Sequence, residues 1–367
     1  MSDIATDSGI ENIDTSTPIG SYRRAWVGYS LDEEIRKRAA SGGIVTATLC
    51  YLLETEQVEG ALVCSSDFAN GEFNFRLSIA RTREELFEAQ SSKYFDIPVL
   101  KGLDLVKAFE GKVAVVGLPS QINSLTRRMS KNKLLREKIG FRIALFCGHN
   151  SKKELIERVW EKKGIDPKKI DRFRYRQGHW RGQMELTMKD GSVQRFPFQD
   201  FSHYQNLHIL SLDRCLNCHD HMGYYSDLST GDVWLHEMKR DLVKYSVFLA
   251  RTPLAEKVMM EMSERNLIKA KQVDRRFVYR SQKRSINYHY NLSARAKVGK
   301  WLRLNIKDRT GERPKLRDVV AAIIVLTNHR ISRSPRLLNL FMKLPKPFVA
   351  TYLYLFKGLV NYERKRY

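Results

Sequence analysis

Cysteine is scarce in this 367-residue chain, five residues at positions 50, 64, 147, 215 and 218. So few thiols exclude a small fold stapled by disulfides, and the length suffices to bury one large core or two without staples. Acid is short as well, with 41 Asp and Glu against 64 Lys and Arg, a formal charge of +23. Long apolar runs are missing. VVAAIIVLT (319–327) and FVATYLYLF (348–356) fall far short of the ~20 residues that span a bilayer. The first stretch, MSDIATDSGIENIDTSTPIG, carries four acids, no base and no apolar centre, which is not a secretory pattern and reads as a disordered terminus over 1–20. The G-x-G-x-x-G dinucleotide fingerprint is absent too. Together these absences predict a soluble, globular protein in a reducing, cytoplasmic setting, where paired cysteines are more often metal-binding or catalytic than bridged.

What is present is a C-x-x-C in RCLNCHD (214–220). Two thiolates alone hold neither zinc nor an iron–sulfur centre, so further ligands must come from elsewhere in the chain. The segment 111–154 alternates an apolar strand (113–117), a helix from near Gln121 and a second strand (142–147), a β-α-β unit. A right-handed crossover makes those strands parallel and brings the loops after both to one sheet edge, where open α/β sheets bind ligands. Ser120 and Cys147 are thereby expected to face one crevice, Cys147 as a third ligand and Ser120 where a fourth could stand. Ser151 and Glu154 read as an S-x-x-E capping box for the next helix.

Upstream, Ser41-Gly42-Gly43 reads as a turn feeding a helix, followed by a short buried strand at 59–65. Glycines at a helix start can admit an anion to the backbone N–H groups, although the same triplet serves equally as a plain turn with its cap. FRYRQGHWRG (173–182) offers Arg176, His179, Trp180 and Arg181 as a clamp for a planar anion, or as an ordinary β-surface; KDGSV (189–193) predicts a hairpin. The stretch 221–234 reads as a loop closing on Asp232 and Trp234, 244–252 as a strand and 252–268 as an amphipathic helix. Cys50 and Cys64 fall in apolar elements and read as core thiols.

Residues 295–367 hold 18 Lys and Arg against 4 Asp and Glu, more than half of the net charge in the last fifth of the chain. Basic helices with Phe, Tyr and Leu on one face can lie on an anionic membrane surface, here the cytoplasmic face; a helical cap on the body is the alternative. No nucleic-acid-binding module accompanies the charge, so nucleic acid is not an expected partner.

Eight segments in order, RAASGGIVTATLCYLL, SSKYF (91–95), GLPSQINSL, LFCGHNS, FRYRQGHWRG, CLNCHD, SDLSTGDVW (226–234) and FLART, resemble the coenzyme F420 hydrogenase/dehydrogenase beta-subunit family over roughly residues 25–285. The resemblance implies an α/β (α+β) fold with a mixed sheet flanked by helices and a basic helical C-terminal extension. It implies an N-terminal family domain over 21–110, a C-terminal one over 111–285 with the flavin and cluster site, and an extension over 286–367. The expected activity is an FAD-dependent oxidoreductase passing electrons between a [4Fe-4S] cluster and a deazaflavin, coenzyme F420, or another two-electron substrate, with a redox partner protein or subunit. The alternative is an accessory family member lacking the cluster, held at the membrane near glycan or lipid enzymes.

Carried onto this sequence, the family's cluster ligands become Cys147, Cys215 and Cys218. The family's G-x-P-C-Q turn has serine here, Ser120, so the fourth place falls to Ser120, to His149 or His219, or to nothing; zinc, a redox thiol pair and no metal at all stay open beside the cluster. His219 reads equally as a surface residue. The cofactor contacts implied are Ser41, Gly42, Gly43, Ser92, Lys93, Tyr94, Gly117, Pro119, Gln121 and Asp232, with Lys93 toward a pyrophosphate or a reduced flavin, or else a plain surface ammonium, and Asp232 toward a ligand or its own turn. Hydride chemistry belongs to the flavin, so no general acid or base is assigned.

Overall fold

The computed structural model describes residues 14–69 and 72–364. The chain runs β1 (Arg24–Ser30), α1 (Glu33–Arg38), α2 (Ile44–Glu54), β2 (Gly60–Ala69), β3 (Glu72–Ala80), α3 (Arg83–Ala89), α4 (Leu103–Ala108), β4 (Val113–Gly117), α5 (Pro119–Met129), α6 (Lys133–Lys138) and β5 (Ile139–Leu145). There follow α7 (Glu154–Lys162), β6 (Ile170–Gln177), β7 (Gln183–Met188), β8 (Val193–Pro197), α8 (Gln199–Asn206), α9 (Asp213–Leu216), β9 (Leu228–Asp232), β10 (Ser246–Ala250), α10 (Pro253–Glu264) and β11 (Ile268–Gln272). The extension adds α11 (Arg275–Tyr290), α12 (Leu292–Trp301), α13 (Leu316–Ile331), α14 (Pro335–Lys343) and α15 (Lys346–Val360).

Eight strands form one mixed sheet in the order β11-β1-β10-β9-β5-β4-β2-β3, and β6-β7-β8 form a separate antiparallel sheet. The four central strands β2, β4, β5 and β9 are parallel, with Gly117 opposite Ala144 and Leu145 opposite Thr230. Central parallel strands must be covered on both faces, and the period-2 alternation of their neighbours supplies the apolar groups. Trp26 and Phe248 stack at 5.6 Å on the face covered by α2 and α10, while Val27 and Val247 join Val278, Tyr279 and Ile286 of α11 on the other. Arg142 of β5 locks the turn before β9 through a buried pair with Asp227, Nε to Oδ2 2.9 Å and Nη2 to Oδ1 3.1 Å.

The expected β-α-β unit and the 183–197 hairpin are present. Other readings need correction. The expected loop over 221–234 is interrupted: 228–232 form β9, a central strand whose Ser, Thr and Gly suit close packing, with Phe146 against Gly231. The Ser151–Glu154 capping box does not form, because Ser151 pairs in a β-bridge with Ser211 and α7 begins with Lys153 as its uncapped N-cap. Of the expected disordered terminus, residues 1–13 lie outside the described residues, whereas Ile19 is fully buried and Tyr224 donates to the carbonyl of Pro18 at 3.1 Å. The basic extension packs on the body: Asn328 of α13 donates to the carbonyl of Leu207 at 2.8 Å, and α15 lies against α8. Among the described residues no helix is long and apolar enough to cross a membrane.

Candidate functional site

A cavity of about 790 Å³ opens at the carboxyl ends of β4, β5 and β9, the ligand edge expected of a parallel sheet and a volume within the usual range for cofactor sites. Ser41, Gly43, Ser92, Lys93, Tyr94, Gly117, Gln121, Asp232, Cys147 and His149 line it; Gly42, Pro119, Ser120, Cys215, Cys218 and His219 do not.

The Ser-Gly-Gly turn is fixed to β10. Ser41 Oγ donates to the carbonyl of Tyr245 at 2.8 Å, and Gly42 N donates to Ser246 Oγ at 3.0 Å. A Cβ on Gly42 would lie 2.6 Å from the carbonyl oxygen of Gly28 and 2.8 Å from Ser246 N, so only glycine fits. Gly43 then takes φ +80° and starts α2 without a side-chain cap. The first N–H groups of such a helix lack internal acceptors, and Ile44, Val45 and Thr46 sit in the cavity wall. The arrangement is an uncapped helix start that borders the cavity.

Lys93 is not a solvated surface group. Its Nζ donates to the carbonyls of Ala89 at 2.6 Å and Ser91 at 3.2 Å, and burial lowers its pKa to about 8. Beside it Ser91 holds φ +91°, and Ser91 Oγ and Gln90 Oε1 are buried without hydrogen-bond partners. Gln121 is consumed locally, accepting from Leu118 N at 2.8 Å and donating to the carbonyl of Ile97 at 2.6 Å. Pro119 is buried in the first turn of α5.

The expected aromatic-basic clamp is largely internal. Arg176 is buried and pairs with Asp232, Nη1 to Oδ2 2.9 Å, while its other nitrogens donate to the carbonyls of Trp180 and Arg181 and its guanidinium lies over Trp234. Asp232 is therefore the anchor of an arginine. His179 is exposed and reaches the carbonyl of Lys239, and Trp180 packs edge-on against Trp234; of the four, Arg181 lines the cavity.

The cysteines lie in one region but in different settings. Two contacts tie the Cys147 backbone to His221, Cys147 N donating to the carbonyl of His221 at 3.1 Å and the ring atom His221 Nδ1 lying 3.0 Å from the carbonyl of Cys147. Cys215 Sγ accepts from Asn150 N at 3.3 Å, and Cys218 Sγ lies 3.5 Å from the carbonyl of Asp220. Burial raises all three thiols, Cys218 to about 12 and Cys147 well above its usual value; Cys215 raises Cys147 and Cys218 further, and Cys218 raises Cys147. Among the described residues no group of three or more His, Cys, Asp or Glu is arranged to hold a metal ion. Ser120 is exposed on α5, its carbonyl accepting from Ser124 Oγ. His149 is turned to the carbonyl of Gln205 at 2.7 Å, and burial lowers its pKa to about 4; His219 is partly buried beside Tyr224. Cys50 is a core thiol, but Cys64 lines the cavity.

Sequence reading missed a buried aromatic chamber behind Cys147. The rings of His149 and His208 are 3.9 Å apart, those of His208 and Tyr288 4.3 Å, and those of His221 and His289 5.4 Å. Burial lowers the pKa of all four imidazoles. It also missed the extension as a wall of the site: residues 280–285 and Tyr288 of α11, with Phe356, Lys357 and Val360 of α15, line the cavity. The i, i+4 spacing of Arg280, Arg284 and Tyr288 was the available signal.

The parallel strands of this mixed α/β sheet thus end at one cavity, beside an uncapped helix start, Lys93 and Cys147, the edge at which open α/β sheets bind ligands. Two family models match the chain, the coenzyme F420 hydrogenase/dehydrogenase beta subunit N-terminus over residues 25–104 and its C-terminus over 110–276. The chain belongs to that family. It is 28% identical over 271 residues to the coenzyme F420 hydrogenase subunit beta of Methanococcus voltae, 70% of this chain and 87% of that one. It is 29% identical over 235 residues to the coenzyme F420-dependent sulfite reductase of Methanocaldococcus jannaschii, 59% of this chain and 34% of that protein. A chain of the F420-reducing [NiFe] hydrogenase complex from Methanosarcina barkeri shares the fold, TM-score 0.61 at 20% identity, covering 81% of this chain and 99% of that chain.

Proposed function

We propose that this chain is a flavin-dependent oxidoreductase of the electron-transfer type, holding FAD in the cavity and acting on coenzyme F420 or another two-electron substrate, with a redox partner protein. The observation that carries this reading is the convergence of the α2 start, Lys93 and the ends of β4, β5 and β9 on one cavity of cofactor size. FAD, when bound, supplies the junction between hydride and single-electron transfer. The chain's own residues bind and orient: the Gly43–Thr46 backbone and Lys93 face anionic groups, and the Arg176–Asp232 pair stiffens the wall beside β9. The relatives named for coenzyme F420 support the substrate class.

The donor set does not fit a cluster held by four cysteines, since Ser120 stands at the fourth position and is exposed away from the cavity wall. A redox-active thiol pair fits no better, because such pairs have lowered pKa values and these are raised. Anaerobic purification, a visible spectrum, FAD titration and an iron count test the reading. Flavin bands and micromolar FAD binding are expected; a protein that takes up no FAD overturns it.

A second reading concerns the tail. Leu316, Val320 and Ile323 of α13, Leu337 and Leu340 of α14, and Phe348 and Leu355 of α15 are exposed at helical spacings in the most basic part of the chain. That pattern supports peripheral contact with an anionic membrane surface, compatible with either an enzyme or an accessory role.

A further inference from the structure

Six cations line the cavity, Lys93, Arg181, Arg280, Lys283, Arg284 and Lys357, against two carboxylates, Asp232 and Glu237. Both carboxylates are engaged, Asp232 by Arg176 at 2.9 Å and Glu237 by Arg280 at 3.2 Å, and Lys283 reaches Glu363 at 3.8 Å. Arg181, Arg284 and Lys357 have no ion pair with any described carboxylate. They come from three separate elements: the β6–β7 loop, α11 and α15. On α11, Arg280 and Arg284 stand at i, i+4, a spacing at which like charges destabilise a helix. The Lys357 ammonium lies 5.1 Å from the centre of the Tyr354 ring; burial, with repulsion from Arg284 and Arg181, lowers its pKa to about 8. Burial and Arg181 lower Arg284 as well. The facing helix α8 brings Ser202, Gln205 and Asn206 to this wall, with His203 feeling Lys357, Lys346 and Arg181, and with Asp200 held between Lys163 at 2.6 Å and Lys346 at 2.5 Å. Partly desolvated cations that repel one another are unfavourable unless an anion joins them.

We propose that Arg181, Arg284 and Lys357 form an anion subsite, on the wall that the C-terminal extension adds to the cavity, which takes a phosphate- or pyrophosphate-class group of the substrate. Arg284 and Lys357 lie beyond the matched family segments, which end at residue 276, and Arg181 lies within them, so the extension completes the subsite on a wall of the family fold. The inference rests on the cavity being the ligand site, but not on FAD occupying it.

The test titrates the full chain with inorganic pyrophosphate by calorimetry at low salt, without flavin and then saturated with FAD, for wild type, Arg284→Gln, Lys357→Gln and the exposed control Lys189→Gln. Loss of one charge-assisted contact is expected to weaken pyrophosphate about tenfold in each cavity variant, with the control at wild-type affinity and the thermal midpoints of the unliganded cavity variants at or above the wild-type value, since each relieves repulsion. Binding that persists under FAD saturation assigns the subsite to substrate. Competition between FAD and pyrophosphate would place the flavin's own phosphates there and overturn that assignment, as would equal pyrophosphate affinity in all four proteins. A chain that binds no FAD yet binds pyrophosphate with the expected variant sensitivity would remove the flavin reading and leave the subsite standing.

Discussion

Arg295, wholly buried, donates from Nη2 to the carbonyl oxygen of Cys218 at 3.1 Å, and from Nε to that of Leu216 at 3.0 Å. A third donor reaches the carbonyl of Tyr288, whose ring lies under the guanidinium at 4.3 Å. One side chain from the extension thus shapes the C-x-x-C turn and joins it to the histidine chamber. Arg295→Met should leave those carbonyls unpaired and lower unfolding free energy by on the order of 3 kcal/mol, with Arg295→Lys intermediate because an ammonium cannot reproduce the planar fork. Urea unfolding measures both. An Arg295→Met midpoint equal to wild type would show that the turn holds itself.

Lys93 sets a pH dependence with two opposite signs. Its pKa in the folded chain is about 8, below the ordinary 10.5, so folding disfavours its charged form. That penalty is fully present below pH 8 and is relieved as pH rises from about 8 toward 10.5. Lys93→Met removes that penalty but leaves the carbonyls of Ala89 and Ser91 without the ammonium, so its stability relative to wild type should fall as pH rises from about 8 toward 10.5. FAD binding should run the other way, weakening in wild type as pH climbs through about 8 and the ammonium discharges, with no such inflection in Lys93→Met and little in Lys93→Arg. Parallel FAD titrations from pH 6.5 to 9.5, within the stable range of both variants, decide it. Superimposable pH profiles would return Lys93 to a purely structural capping role.

Gly42→Ala probes the turn. The new Cβ would meet backbone atoms of Gly28 and Ser246 rather than a movable side chain, so the strand pair or the α2 start must shift, at about 1–3 kcal/mol. Weaker FAD binding should accompany the lower thermal midpoint, because the same shift displaces the N–H groups that face the cavity. A variant with wild-type stability and affinity would mean that the turn is free to move.

The parts of the site legible in the sequence are those built from local signals. The β4-α5-β5 crossover follows from an apolar run, a helix and a second run, and it brings the loops after both strands to one edge without any tertiary information; of the two residues expected to share that crevice, Cys147 lines the cavity and Ser120 is exposed outside it. The Ser-Gly-Gly turn was visible for the same reason. What stayed hidden depends on distant partners. Arg176 looked like a ligand clamp because its partner, Asp232, is 56 residues away and sits in a strand whose Ser-Thr-Gly composition reads as a loop. Arg295 looked like one more base in a basic tail, and burial alone sets it apart. Ser151 matched a capping motif, yet its backbone is drawn into a bridge with Ser211. Charge and apolar spacing in the tail were correctly seen, but they serve two faces at once: one closes the cavity with Phe356 and Val360, and the other leaves Phe348 and Leu355 exposed.

That outer face carries the membrane prediction. Leu340, Phe348 and Leu355 are 64%, 59% and 66% exposed, so changing them to serine removes apolar surface without opening the core. Exposed bases nearby would each contribute about 1 kcal/mol close to an anionic surface, and salt should screen that attraction within about 10 Å. Each buried Leu or Phe would add about 1.5–3 kcal/mol, enough for the triple variant to lose at least about tenfold in partitioning. The full chain and the triple serine variant would be sedimented with anionic and neutral vesicles at low and high salt, and thermal melts of both would confirm the fold. Wild type is expected to sediment with anionic vesicles at low salt alone, and the variant to stay in the supernatant with an unchanged melt. Equal recovery of the two proteins would remove the membrane role and leave the tail as the cover of the cavity.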